Sequence, residues 1–171
     1  MTEPSLTLYK LMILYMLDRV DFPLSGSQLG EFVISRGYTG YFHFQQALNE
    51  LEEDSFISGE PLRNSTNYSL TETGKEALTL FSSGIPGKIK EDILDYFGDQ
   101  KLTLRREHDI TADYDIRPNG EYIVRTVIKD RGDPLLSMEI NVVTKEQAAA
   151  ICDQWKEKSE IVYQYIIDTL L

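Results

Sequence analysis

An α+β fold in two parts is predicted for this chain, and three observations carry the prediction. Residues 40–78 read GYFHFQQALNELEEDSFISGEPLRNSTNYSLTETGKEAL: a helical period, two short strand-like runs around a polar tip, then a capped helix. Residues 110–143 alternate apolar and polar side chains in three runs separated by turn chemistry. Residues 145–171 carry a helical period to the end of the sequence. The expected architecture is an N-terminal winged helix-turn-helix over residues 1–83. A connecting helix, a three-stranded antiparallel sheet and a long C-terminal helix covering that sheet follow over residues 84–171.

The first helix is expected from Leu6 to Arg19, with Ser5 or Thr7 as its cap. Its run Leu11-Met12-Ile13-Leu14-Tyr15-Met16-Leu17 is apolar nearly all round, which calls for burial on more than one side. The second side would be supplied by the second domain, by a partner chain, or by the helix being central to its own domain. Ser25, with Gln28 three residues on, forms a capping box for a second helix that runs to about Arg36. Gly37 stops it, and Tyr38-Thr39-Gly40 make the short turn of a helix-turn-helix.

In the third helix Phe44, Ala47, Leu48 and Leu51 share one face, and Phe42, Gln46, Asn49 and Glu53 share the opposite one. Ser55 to Gly59 ends this helix and begins a strand. Arg63-Asn64-Ser65-Thr66-Asn67 is the expected hairpin tip, since Asn and Ser side chains bond the local backbone. Tyr68-Ser69-Leu70 returns as a strand. Thr71 or Thr73 caps the next helix, Thr73 having Glu76 in the reciprocal position.

Leu70-Thr71, Gly74 and Leu78 resemble the LT-x-x-G-x-x-x-L exit from the wing in PadR-like and MarR-like winged-helix regulators. The whole chain, including Gln154-Trp155-Lys156, is similar to a bacterial winged-helix family of unknown function. The first resemblance implies a DNA-binding transcriptional regulator. The second implies a fold and no reaction or ligand.

A break is expected at 81–87, with the domain boundary near Ser83, followed by a helix from Pro86 to about Phe97 that Gly98 stops. Residues 101–108 fit either strand or helix. In the sheet, a three-residue loop around Pro118-Asn119-Gly120 pairs Ile116 with Tyr122, Tyr114 with Val124 and Asp113 with Arg125. That register gathers the apolar residues on one face and opposite charges on the other. A second turn lies near Asp130-Arg131-Gly132-Asp133. Thr144, with Gln147, caps the last helix, whose stripe Ala148, Ile151, Cys152, Trp155, Val162 and Ile166 is to cover the sheet. That helix spans about 40 Å at 1.5 Å per residue, against about 30 Å for a nine-residue strand. Its end, Ile161 to Ile167, therefore overhangs and needs the first domain or a partner chain.

For DNA, Gln45, Gln46 and Asn49 carry amides that suit bidentate contacts to adenine, and Phe42 suits a thymine methyl. Tyr38, Thr39 and His43 are placed to reach phosphate at the start of the helix, and Arg63, Asn64, Thr66 and Asn67 from the wing. Net charge opposes this reading. The whole chain carries −11. Lys and Arg number 5 against 11 Asp and Glu up to Ser83, a net −6, and 12 against 17 beyond it, a net −5. DNA-binding domains are usually basic. Two alternatives follow: a winged helix used for protein–protein contact without DNA affinity, or a small-ligand sensor built on the C-terminal domain.

No catalytic pattern is present. His43 and His108 stand without ligand-spaced partners, the single Cys152 lies on an apolar stripe, and there is no phosphate loop or nucleophile elbow. An enzyme, a metal site and a cofactor are not expected. With no signal peptide and no run of about 18 apolar residues, the expected setting is the cytoplasm, without membrane contact. The apolar first and last helices predict a homodimer.

Overall fold

The computed structural model describes residues 5–62 and 65–171. They form two compact units, the first ending at Leu104 and the second comprising Arg105–Leu171. The architecture is α+β, with two three-stranded antiparallel sheets and a long C-terminal helix.

In the first unit α1 (Leu6–Asp18) is the central element. Tyr9 and all seven residues from Leu11 to Leu17 are buried, within one core that also takes in residues of the elements packed around the helix. Its all-round apolarity is satisfied inside its own unit, so this helix gives no support to a dimer. The expected connector before the second helix contains a two-residue strand, β1 (Leu24–Ser25), which pairs with β3 (Thr66–Leu70). Helix α2 (Gly26–Ser35) opens with the Ser25–Gln28 capping box. It closes with Gly37 at φ +74, where Gly37 N–H donates to the Ile34 carbonyl and Tyr38 N–H to the Val33 carbonyl. These two bonds make a Schellman stop, which needs the left-handed residue that glycine supplies without strain.

Helix α3 (Tyr41–Glu53) ends in the same motif, with Ser55 at φ +61 where glycine is usual. Replacing Ser55 with glycine is expected to raise stability by about 0.5–1 kcal/mol, measured by chemical denaturation, because a left-handed L-residue is strained. Strand β2 (Ile57–Pro61) then pairs with β3 in a hairpin, with Leu62 N–H donating to the Ser65 carbonyl at 2.7 Å beneath the tip. Strand β3 begins at Thr66, so Thr66 and Asn67 are ladder residues and not part of the expected tip.

Helix α4 (Glu72–Phe81) is capped by Thr71, and Thr73 lies inside it. The Thr71 hydroxyl accepts from Gly74 N–H at 3.0 Å, and is within donating distance of the Ser55 carbonyl at 2.7 Å and the Phe56 carbonyl at 3.0 Å. One side chain thus ties the end of α3, the start of β2 and the start of α4. Gly74 packs directly on the Phe56 carbonyl, where an added β-carbon would overlap it. The Leu-Thr-x-x-Gly pattern is a packing requirement at this junction.

The break after α4 is a short 3-10 turn, Ser82–Gly84, but the first unit continues through it. Ile85, Ile89, Ile93, Phe97 and Leu104 all enter the first unit's core. Helix α5 (Gly87–Asp109) does not stop at Gly98 as expected from the sequence. Gly98 is exposed with open space around it, so it costs the helix about 1 kcal/mol without breaking it. Residues 101–108 are helical, and Leu104 continues the buried face.

The second unit holds β4 (Ile110–Ile116), β5 (Tyr122–Asp130), β6 (Asp133–Val142) and α6 (Lys145–Leu170). The sheet order is β4-β5-β6. Its first hairpin has the three-residue-loop register: Ile116 opposite Tyr122, Tyr114 opposite Val124, Asp113 opposite Arg125, with Gly120 at φ +84. The Arg125 guanidinium reaches diagonally to Asp115 at 2.8 Å and across to Glu139 at 3.3 Å, on the face opposite α6. The second turn uses Arg131 and Gly132, both at positive φ, as a two-residue hairpin suited to strand twist.

Helix α6 starts at the Thr144–Gln147 capping box and lays Trp155 on Ile110 and Ile128. The Trp155 indole N–H donates to the Val127 carbonyl at 3.4 Å. Two buried hydroxyls here, on Thr126 and Ser159, have no hydrogen-bond partner. Thr126 sits between Ala112 and Met138 on the apolar face. Thr126→Val keeps the shape and removes the unmet polar group, so a gain of about 1–2 kcal/mol is expected in thermal or urea unfolding.

Candidate nucleic-acid interface

Helix α3 presents a ridge. Phe44, Ala47, Leu48 and Leu51 are buried beneath it, and Phe42, Gln46, Asn49 and Glu53 are exposed along its crest, Phe42 at 77%. A groove of about 560 Å³ runs along one flank, between α3, α2 and the hairpin. Gln45 and Thr66 line it, together with Tyr41, Ser27 and Ser65. A second groove of about 540 Å³ runs along the other flank, beside the start of α1. Tyr38, Thr39, His43 and Gln46 line that one.

The residues expected from the sequence are therefore divided between two grooves, with Phe42 and Asn49 on the ridge. Asn67 follows Thr66 on a pleated strand and faces the other side of its sheet. Arg63 and Asn64 lie outside the described residues. Tyr41, 70% exposed, was not singled out from the sequence. The helical wheel that places Gln45 on its flank also places Tyr41 there, four residues earlier.

Several of these side chains already have partners. The Tyr38 hydroxyl donates to Asp92 Oδ2 at 2.6 Å, and its ring lies 5.7 Å from that of Phe32. Burial and then this bond push the Tyr38 phenol up to about 12. The same bond, with Lys88 beside it at 3.0 Å, holds the Asp92 carboxyl below its ordinary range. The Tyr38 proton is thus committed to Asp92, and a phosphate oxygen would have to displace that carboxylate to receive it. Gln45 donates to Asn49 at 3.1 Å and Gln46 to Glu50 at 3.0 Å, each along the helix.

The acidic residues of α3 sit on its C-terminal half. Lys10 of α1 holds Glu50 at 2.5 Å and approaches Asp54 at 4.0 Å. Lys10, then Gln46, keep the Glu50 carboxyl below its ordinary range. The opposite end of the helix is neutral and open. Its N-cap is Gly40, which offers no side-chain acceptor, in contrast to the capping side chains of Ser25, Thr71 and Thr144. The first backbone N–H groups of α3 point toward this end, as they do at any helix start.

Among the described residues no group of three or more His, Cys, Asp and Glu is arranged to hold a metal ion. No described helix is long and apolar enough to cross a membrane.

No curated protein and no solved structure matches the chain. A family model does match it, over residues 9–170. That span is nearly the whole sequence, and the protein belongs to the family described as a domain of unknown function, DUF4364.

Proposed function

We propose that this protein is a DNA-binding transcriptional regulator, with α1–α4 and β1–β3 as a winged helix-turn-helix and with a homodimer as the acting form. The observation that carries the reading is the exposed Phe42–Gln46–Asn49 ridge of α3, flanked by grooves and followed at once by the β2–β3 hairpin. A ridge of amides and one aromatic ring on a helix suits base edges in a major groove. The uncapped start of α3 suits a phosphate, and the acidic end is partly neutralised by Lys10. The exposed apolar end of α6 supports the homodimer.

The test is selection of bound sequences from a random DNA pool. Fluorescence anisotropy of the selected site and a scrambled duplex follows, at two salt concentrations. Tight binding to the selected site with a steep salt dependence is expected. A protein that binds neither duplex at low salt ends the DNA reading.

One observation favours a second reading, a winged helix that contacts another protein. Each described Lys and Arg of the first unit lies against an acidic group, a ring or a backbone carbonyl. Lys10, Arg19, Lys75 and Lys88 meet carboxylates, Arg36 and Lys90 lie over Phe32 and Tyr15, and Lys101 reaches the Arg19 carbonyl. Tyr41 and Phe42 would then be the anchors, as exposed aromatic side chains often are at protein interfaces. Anisotropy separates the two readings.

A further inference from the structure

Helix α6 has a second stripe, distinct from the one that covers the sheet. Lys158, Ile161, Tyr165 and Asp168 recur at spacings of three, four and three residues, which places them on one side of the helix. All four are exposed, Ile161 at 69% and Tyr165 at 70%. The sheet-facing stripe, with Ala148, Trp155 and Ser159 buried and Val162 packed beside them, runs along a different side. Spacings of three and four are those of a helix–helix seam.

The order of residues in this stripe is symmetric about its centre. Two copies laid antiparallel, with a two-fold axis between Ile161 and Tyr165, bring Ile161 of each copy against Tyr165 of the other. The same operation brings Lys158 of each copy against Asp168 of the other. A parallel arrangement would instead set Lys158 beside Lys158 and Asp168 beside Asp168. Asp168 accepts one bond from Gln164 at 2.7 Å through Oδ1, which leaves Oδ2 to face a lysine. A two-fold interface must be complementary to itself, and this stripe is so in charge and in apolar content.

We infer that this face of α6 is the surface on which a second copy of the chain docks, antiparallel, with an Ile161–Tyr165 centre closed at both ends by Lys158–Asp168 pairs. The inference rests on the homodimer in the proposed function and not on DNA binding. It names the surface and the direction of the second chain, which that reading leaves open.

The experiment is sedimentation equilibrium of the full chain, wild type beside Lys158→Asp, Asp168→Lys and the double swap. The wild type is expected to be a dimer at about 10–50 μM. Each single swap sets like charges together at both ends of the seam. With two ion pairs lost and repulsion added, each should weaken the dimer roughly 5–30-fold. The double swap restores the pairs in reverse and should recover most of the wild-type affinity. All four side chains are exposed, so the thermal melt of each variant should stay close to wild type, which separates loss of pairing from loss of folding. A dimer unmoved by the single swaps, or not rescued by the double swap, overturns the surface and leaves the homodimer standing. A wild-type monomer overturns both.

Discussion

Gly74→Ala is expected to destabilise the first unit by about 3 kcal/mol or more, toward and beyond the upper end of the usual cost of overpacking. A β-carbon at this position overlaps the Phe56 carbonyl oxygen, stands 2.8 Å from Leu70 Cδ1 and 3.0 Å from the Phe56 carbonyl carbon. Two of these obstacles are backbone, so no rotamer change relieves them. The backbone cannot retreat freely either, because the Thr71 hydroxyl ties Gly74 N–H to the Ser55–Phe56 carbonyls. Gly98→Ala is the internal control. Gly98 lies exposed inside α5 with nothing near an added β-carbon, so alanine there should stabilise by about 0.5–1 kcal/mol through helix propensity. Urea unfolding of the two variants should thus shift in opposite directions. Equal shifts would show that the Gly74 junction relaxes.

Gln46 and Asn49, both replaced with alanine, should weaken binding to a selected DNA site by roughly 2–6 kcal/mol, if each makes a base contact of about 1–3 kcal/mol. The expected loss lies at the lower end of that range. Gln46 already donates to Glu50, and Asn49 accepts from Gln45, so base contacts replace existing hydrogen bonds. Both residues are exposed on the ridge, so the melting temperature should hardly move. Replacing Arg63 should instead weaken binding to all duplexes alike and reduce the salt slope by about one, as loss of a phosphate contact does. Anisotropy against the selected and scrambled duplexes at two salt concentrations distinguishes the two patterns. A uniform loss from the double replacement would move Gln46 and Asn49 from reading bases to touching backbone.

Much of the fold was legible because the evidence for it is local. The Ser25–Gln28 and Thr144–Gln147 caps need only residues three apart. The register of the β4–β5 hairpin follows from a loop length that sets Tyr114 against Val124 and keeps the apolar side chains on one face. The ridge of α3 was legible from its period alone. Its two grooves were not, because each flank is closed by side chains of other elements: α2 and Ser65–Thr66 on one side, Ser5, Leu6 and Tyr9 on the other. Tyr38 illustrates the same limit. As a turn residue it was free to meet a phosphate, but its partner, Asp92, lies 54 positions along the chain.

The sequence by itself determined most of the helices and strands, the Ser25 and Thr144 caps, the register of the β4–β5 hairpin and which side chains crown α3. All of these depend on neighbours within a few residues or on a strict period of two or 3.6. Only the tertiary structure decided that α1 is buried by its own unit, that α5 runs through Gly98 to bury Leu104, and that Thr71 and not Thr73 is the cap. It also decided that Gly74 must lack a side chain, and that Val162 and Tyr163, in the stretch expected to overhang, pack on the second core while Ile161 and Tyr165 stay exposed. Each of these depends on which distant backbone or side chain fills the space beside a residue, and a linear pattern holds no record of that space.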